Sequence, residues 1–223
     1  MDTALFSPSS LFGGSDSNSS DEENSETQQN FVERRHQFPE MELLIQEFSF
    51  HQMNANLLWP GTFAFAEWLA QHTSWLRGRR IIELDIEENI AHNCQANGVS
   101  PALPHIRHSW GDVFPVADPD WDLIIASDIL LYVKQYENLV KTLCFLLKSY
   151  KPKVDETGSG TSEEKDICPL PQPAFLMSWR RRIGKEDESL FFTGCEKAGL
   201  EVNHLGSRVY CIKPNETSAI EAV

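Results

Sequence analysis

Acidic side chains stand at the ends of the apolar segments that could form buried strands. Glu83 lies in the segment RIIEL at residues 80–84, and Asp112 follows a second strand-like segment. Asp128 ends the segment WDLIIASD at residues 121–128. In open α/β sheets, ligands bind outside the carboxyl ends of the strands. A carboxylate at such an end can accept a hydrogen bond or hold a cationic group, so these residues are the first candidates for chemistry.

Strand-like and helix-like segments alternate along the chain and would position these carboxylates. The strand-like segments are residues 79–84, 105–109, 121–128, 174–179, 200–205 and 208–212, and the helix-like segments are residues 85–98, 135–148 and 185–198. Apolar runs such as WDLIIAS are typical of parallel strands that are buried on both faces. The alternation, closed by an antiparallel pair of strands, predicts an α/β fold with a doubly wound sheet.

The junction after Leu84 has no connecting loop. Asp85 at once begins a helix pattern, Glu88 completes a capping box three residues later, and Gly98 stands where a helix end favours glycine. A strand-to-helix connection normally takes about 2–6 residues. The sequence therefore indicates that a segment is missing after Leu84, or that this unit folds in an unusual way.

Four blocks of sequence occur in a characteristic order. They are LLWPG at 57–61, IIEL at 81–84, SWGD at 109–112 and DLIIASDILLY at 122–132. In order and spacing these blocks resemble the family 16 methyltransferases, which use S-adenosyl-L-methionine and act mostly on protein lysines. The resemblance covers most of the folded part of the chain. It implies a Rossmann-like, doubly wound, seven-stranded sheet with a C-terminal antiparallel hairpin, here lacking one helix-strand unit after Leu84.

The missing unit is the one that would bind the cofactor. In the family, the pair corresponding to Glu83 and Leu84 opens a glycine-rich turn, which is followed by a helix, a strand and an acidic residue that holds the cofactor ribose. Glycines let backbone N–H groups approach a ligand closely, and the acid accepts hydrogen bonds from the ribose hydroxyls. The resemblance implies a loss of roughly 20–30 residues, the size of one helix-strand unit. Alternative splicing or a truncated gene model would both produce this loss.

The resemblance assigns cofactor-binding positions to Trp59, Glu83, Trp110 and Ser127. The Trp-Pro-Gly sequence that begins at Trp59 would form a rigid lid beside the cofactor. Each assignment has a structural alternative, because tryptophans commonly pack in a core or at its rim and Glu83 could solvate the end of a strand. Asp85 could itself be the ribose acid, or it could simply cap its helix.

Asp128 and Tyr132 are the expected catalytic residues. The family has an acid followed three residues later by an aromatic residue; here that position is Leu131, and the aromatic residue comes one later, at Tyr132. Methyl transfer requires a neutral lysine that is aligned with the sulfonium and screened from water. We therefore expect Asp128 to position the amine. The alternative is that Asp128 caps the next segment and Tyr132 packs.

The composition limits the kinds of molecule that the chain is expected to bind. The chain has 223 residues, 41% of them hydrophobic, which is enough for one core, and it contains no apolar run of membrane-spanning length. The net charge of −14 disfavours nucleic-acid binding, which requires a basic surface. The arginine run at 180–182 is expected to solvate the end of its strand. We expect a monomer whose partner is a protein substrate, with no nucleic acid and no membrane.

Segment composition predicts the domain boundaries. Residues 1–30 are rich in Ser, Asn, Asp and Glu and contain no Lys or Arg, which predicts a disordered acidic tail. The methyltransferase-like domain is expected at 31–213, with a surface loop insertion at 151–173 and a flexible C-terminus at 214–223.

The cysteines and histidines indicate a reducing compartment and no metal site. Five cysteines without a C-x-x-C pair predict reduced thiols, hence a cytoplasmic protein with the nucleus as the alternative. His105 and His108 would face opposite sides of a strand, so they are not expected to share a metal ion.

The sequence thus predicts an S-adenosyl-L-methionine-dependent methyltransferase family protein that acts on a protein lysine, with impaired cofactor binding. The alternative from a different class is a catalytically inactive protein-binding module or regulator. A third possibility is a chain that does not fold.

Overall fold

The structure is a computed structural model that describes residues 31–38, 41–48, 58–84, 90–100, 106, 108–153 and 169–215. The predicted tail at 1–30, the middle of the predicted loop insertion and the last residues of the C-terminus lie outside this part of the chain. The strands are β1 Phe31–Phe38, β2 Met41–Phe48, β3 Ile81–Glu83, β4 Leu123–Ser127, β5 Ala174–Ser178, β6 Leu200–Gly206 and β7 Val209–Pro214. The helices are α1 Pro60–Gln71, α2 Thr73–Leu76, α3 Ile90–Ala96, α4 Tyr136–Lys148 and α5 Lys185–Lys197, with a 3-10 helix at Val133–Gln135.

The described strands form a five-stranded mixed sheet and a separate hairpin. The order in the main sheet is β3-β4-β5-β7-β6. Strands β3, β4 and β5 run parallel, whereas β7 is antiparallel to both β5 and β6. The predicted α/β class and the C-terminal antiparallel hairpin are confirmed. The expected seven strands are not seen among the described residues, where the main sheet has five.

Helices cover both faces of the sheet. Successive strand residues point to opposite faces, so Leu123 packs with Phe65 and Trp68 of α1, whereas Ile124 faces the core beneath α4 and α5. Burying a side chain of this size stabilises the fold by about 1.5–3 kcal/mol relative to leaving it exposed. The two faces therefore anchor α1 on one side of the strand ends and α4 on the other.

The helix and strand predictions in the C-terminal half are confirmed to within one or two residues, and so is the role of Gly98. Helix α3 ends at Ala96, Gly98 has a φ of 70°, and the Val99 N–H donates to the Cys94 carbonyl at 2.8 Å. Such a bond around a left-handed residue is a common helix ending. The predicted cap at Asp85 and Glu88 lies outside the described residues.

The predicted strand at 105–109 is wrong for the residues that the structure describes. Ile106, His108 and Ser109 have no strand conformation. The segment packs on α4 instead, where His108 Nε2 lies 3.2 Å from Thr142 Oγ1 and the Gly111 N–H donates to the same oxygen at 3.0 Å. Strand β3 pairs with β4, and its other edge has no partner strand among the described residues. The edge of β3 therefore stays open in the described part of the chain, and the segment makes its contacts with α4.

The N-terminal hairpin was not predicted from the sequence. Strand β2 lies beside α3, where the Leu44 N–H donates to Asn97 Oδ1 and the Gln46 N–H donates to Asn93 Oδ1, both at 2.8 Å. Two asparagines one turn apart on a helix thus satisfy backbone donors at the edge of the hairpin. The hairpin is held to the rest of the domain by side chains whose pairing depends on tertiary contact.

Candidate functional site at the ends of strands β4 and β5

Asp128 stands directly after β4 in a left-handed backbone conformation, with a φ of 54°. Aspartate tolerates this region better than most residues. The Asp128 N–H donates to the Ser178 carbonyl of β5 at 2.9 Å, which continues the pairing of the two strands. The side chain is 4% exposed. The left-handed turn thus directs a buried carboxylate across the ends of the parallel strands.

The Asp128 carboxylate accepts two backbone hydrogen bonds. The Gly61 N–H donates to Oδ2 at 2.8 Å, and the Arg180 N–H donates to Oδ1 at 3.2 Å. The first N–H groups of a helix have no partner within the helix, and its N-terminus carries partial positive charge. Asp128 therefore caps α1 from outside the helix. The alternative drawn from the sequence placed such a cap on the next segment, whereas the structure places it on a helix that comes earlier in the chain.

Gly61 makes this close approach possible. A Cβ atom built at Gly61 would lie 2.3 Å from Asp128 Oδ2 and 2.5 Å from its Cγ, which is well inside van der Waals contact. Pro60 before it occupies the first helical position, where a missing N–H costs nothing. The Trp-Pro-Gly sequence expected to form a lid is thus the N-cap and first residues of α1.

Arg182 completes the site with a partly buried cation. Its Nη2 lies 3.0 Å from Asp128 Oδ2, and its Cζ lies 3.3 Å from the centre of the Trp59 ring. The Arg182 side chain is 16% exposed. Burial lowers the pKa of the Arg182 guanidinium; Asp128 opposes this shift and Arg180 adds to it. Neither terminal guanidinium nitrogen has an aligned hydrogen-bond acceptor in the described part of the chain. Charge and ring stacking hold this group in place.

Hydroxyl groups join α1 to the two strands. Ser127 Oγ lies 2.9 Å from Thr62 Oγ1, and the Ser178 hydroxyl donates to the Gly61 carbonyl at 3.0 Å. The start of α1 is therefore fixed to β4 and to β5 by separate polar contacts, and its position relative to Asp128 is well defined.

The structure brings together three of the six predicted site residues: Trp59, Ser127 and Asp128. Glu83 is an exposed residue at the end of β3, opposite Ile125 on the neighbouring strand. Trp110 packs against the core beside α4, and Tyr132 is half-buried directly before the 3-10 helix. The contacts of Trp110 are those expected from the alternative in which this tryptophan packs at the rim of the core.

The residues around the end of β3 do not fit S-adenosyl-L-methionine. The Leu84 N–H already donates to the Ile125 carbonyl at 2.9 Å, so it remains within the sheet. Residues 85–89, which include Asp85, lie outside the described part of the chain, and their sequence contains no glycine. A sulfonium nucleoside needs close backbone donors and a carboxylate for its ribose. On β3, Glu83 is the only side chain that could accept a hydrogen bond from the ribose.

Three residues that build the site, Thr62, Ser178 and Arg182, were not predicted from the sequence to belong to it, and Gly61 was predicted only as part of a lid. The arginine run was expected to solvate a strand end; this describes the exposed Arg180 and Arg181 but is wrong for Arg182. A proline and glycine at the start of an apolar helix pattern were the available signal for α1. No local pattern could have paired them with Asp128.

The described residues contain no group of three or more His, Cys, Asp or Glu side chains that could hold a metal ion. In the same part of the chain, no helix is both long and apolar enough to cross a membrane. A comparison of the sequence with protein-family models and with curated proteins finds no match. The resemblance to methyltransferases therefore depends on the four sequence blocks alone.

Proposed function

We propose that this chain is a methyltransferase-type domain that acts on a protein lysine through its substrate side and is impaired in binding S-adenosyl-L-methionine. The observation that supports the proposal is the convergence of Trp59, Ser127 and Asp128 where β4, β5 and α1 meet. They come from two sequence blocks that are far apart in the chain, one with Trp59 and one with the adjacent residues Ser127 and Asp128. They meet at the carboxyl ends of parallel strands, and α/β sheets bind ligands at this edge.

The site has the chemistry to hold a cationic side chain. An aromatic face and a buried carboxylate together attract an ammonium or guanidinium group, and Arg182 now occupies that position. A substrate lysine would be oriented by Asp128 and shielded from water by Trp59. Asp128 would act by positioning, because alignment and exclusion of water supply much of the rate of a transfer reaction.

The cofactor side is where the chain falls short. A buried hydrogen bond to a ligand contributes about 0.5–1.5 kcal/mol, so losing several donors and the ribose acid lowers affinity by orders of magnitude. Calorimetry of the chain with S-adenosyl-L-methionine should show no binding at tens of micromolar. Clear binding at low micromolar concentration would contradict this part of the proposal.

Restoration gives the decisive test. A family-like segment with a glycine loop, a helix and an acid-tipped strand would be inserted between Leu84 and Asp85. The restored chain should bind the cofactor, and binding should return before transfer activity does. A restored chain that folds cooperatively but shows no affinity for the cofactor would count against the methyltransferase relationship itself.

One observation favours a catalytically inactive binding module as the second candidate. Both oxygens of Asp128 are already engaged, by Gly61, Arg180 and Arg182. The two functions can be distinguished with the Asp128→Asn variant of the restored chain. This substitution keeps the shape of the side chain. The methyltransferase proposal expects transfer to be lost while cofactor affinity is retained. Equal methylation with and without Asp128 would remove this residue from the mechanism, and no methylation by the restored chain would favour the binding module.

A further inference from the structure

A second concave site lies beside the one just described. It is a surface cavity of about 270 Å³ where the end of β5, the start of α5 and the β6–β7 turn meet. The residues that line it are Trp179, Arg180, Arg181, Glu188, Arg208 and Tyr210. The sequence predicts no role for any of them beyond solvating a strand end.

The cavity has an excess of positive charge in an acidic protein. Arg181 forms an ion pair with Glu188, which is buried. Arg180 and Arg208 form no ion pair with any carboxylate in the described part of the chain. Two guanidinium groups are therefore uncompensated, although the whole chain carries a net charge of −14. Guanidinium forks match the paired oxygens of carboxylates and phosphates.

Trp179, which lines the cavity, also carries a buried donor without an acceptor. Trp179 is 2% exposed, and its Nε1 has no hydrogen-bond partner among the described residues. Buried N–H groups are nearly always paired, because leaving one unpaired costs free energy. Burial raises the pKa of the Tyr210 hydroxyl, Glu188 adds to this shift, and Arg181 and Arg208 oppose it. Tyr210 is therefore a further protonated donor at neutral pH.

We propose that this cavity binds the carboxylate of an acidic side chain next to the target lysine of a protein substrate. Its donors outnumber its acceptors, and its volume suits one or two side chains. It adjoins the lysine site directly, since the Arg180 N–H donates to Asp128 Oδ1 at 3.2 Å. The assignment to a substrate rests on the proposed function. The preference for an anion rests on the cavity alone.

Binding to the full chain, without cofactor, tests the proposal. The probes are a short terminally blocked peptide with a lysine flanked by glutamates, the same peptide with glutamines in their place, and inorganic phosphate. The glutamate peptide should bind, should shift the indole N–H resonance of Trp179, and should weaken as salt is added. Equal binding of the glutamine peptide would overturn the proposal. Binding of phosphate with no binding of either peptide would assign the cavity to a free phosphate group and overturn the peptide assignment.

Two variants and a matched control locate the binding. Arg180→Ala and Arg208→Asn should each weaken the glutamate peptide roughly tenfold, as expected for loss of one charged hydrogen-bond donor. Asparagine suits position 208, where φ is 64°. Arg77→Ala removes an exposed arginine elsewhere and should leave affinity unchanged. If Arg180→Ala and Arg208→Asn bind the glutamate peptide as tightly as Arg77→Ala does, the cavity is not the binding site.

The restored chain then separates this inference from the proposed function. If the restored chain binds cofactor, it should methylate the glutamate peptide faster than the glutamine peptide. If it does not bind cofactor, the proposed function fails, while selective binding of the glutamate peptide would still support the anion site. Selective methylation that persists in Arg180→Ala and Arg208→Asn would overturn the anion site without affecting the methyltransferase proposal.

Discussion

The carboxylate of Asp128 accepts a hydrogen bond at 2.8 Å from the backbone N–H of Gly61, a residue 67 positions earlier in the chain. This bond joins the end of a central strand to the first turn of a helix that covers one face of the sheet. It uses the free donors of the helix N-terminus and compensates a buried negative charge. The same carboxylate is the residue that we propose positions the substrate, so the proposed function and the stability of the domain would depend on one side chain.

Gly61→Ala should destabilise the domain. The new Cβ would meet Asp128 Oδ2 at 2.3 Å, so either α1 or the carboxylate must move. Overpacking of this kind typically costs about 1–3 kcal/mol. Chemical denaturation would measure the loss. Gly194→Ala is the matched control, because its Cβ would lie 3.5 Å from Val140 Cγ2, an ordinary contact. That control should be neutral or stabilising by up to about 1 kcal/mol, since alanine favours a helix interior. Equal effects of the two changes would contradict the steric account.

The Asp128 and Arg182 pair should show measurable coupling. A double-mutant cycle with Asp128→Asn and Arg182→Gln would give an interaction free energy of about 1–3 kcal/mol, because the pair is shielded from water. The exposed pair Asp118 and Lys151, with N···O at 2.6 Å, is the control, and its coupling should be below about 1 kcal/mol. Changes in tryptophan fluorescence should accompany loss of Arg182, which lies over Trp59. A coupling energy near zero for the buried pair would show that the pair contributes no net stability.

The domain should become less stable as pH falls, because Asp122 becomes protonated. Burial alone would raise the pKa of this carboxyl, but hydrogen bonds from Tyr150, the Arg80 N–H and Gln172, together with the charge of Arg79, outweigh burial and lower it below 3.8. A depressed folded-state pKa means that the stabilisation is present above the unfolded pKa. It is lost as pH falls from near 4 through the folded value.

Tyr150→Phe tests this network. The tyrosine hydroxyl donates to Asp122 Oδ1 at 2.5 Å. Its loss should cost about 1.5–3 kcal/mol at neutral pH, as for hydrogen bonds to charged groups, and less once Asp122 is protonated. Denaturation at neutral and acidic pH would measure both values, with Asp118→Asn as a control at an exposed carboxylate. A cost that does not change with pH would contradict the assignment to Asp122.

The edge of β3 should limit thermal stability and solubility. This strand has three residues, pairs only with β4 in the described part of the chain, and carries Ile81, which is 40% exposed. Unpaired edges with apolar side chains promote association. We expect a thermal midpoint below about 65 °C and aggregation that increases with protein concentration.

Ile81→Lys should slow that aggregation, since a charge on an edge strand opposes pairing with another chain. Light scattering during heating would measure the rate. The thermal midpoint should change little, because the side chain is already partly in water. A cooperative transition well above 65 °C, or aggregation unaffected by Ile81→Lys, would contradict this account of the edge.

Local sequence patterns were sufficient for the elements whose burial repeats with a regular period. The apolar run that became β4 and the amphipathic pattern that became α4 were located to within one or two residues. Gly98 was found because a left-handed helix end strongly favours glycine. These features depend on neighbours within a few positions, which the sequence displays directly.

Tertiary structure alone decided which polar groups met. The contacts of Asp128 with Gly61 and Arg182, and the position of Arg182 over Trp59, join residues that are distant in sequence. Hydrogen bonds and ion pairs do not repeat with a period along the sequence. The type of residue at the end of a strand therefore does not identify the residue that it will contact. The segment at 105–109 shows the converse case. Its composition suits a strand, but a strand forms only where it pairs with another strand. In the fold the described part of this segment packs on α4 instead.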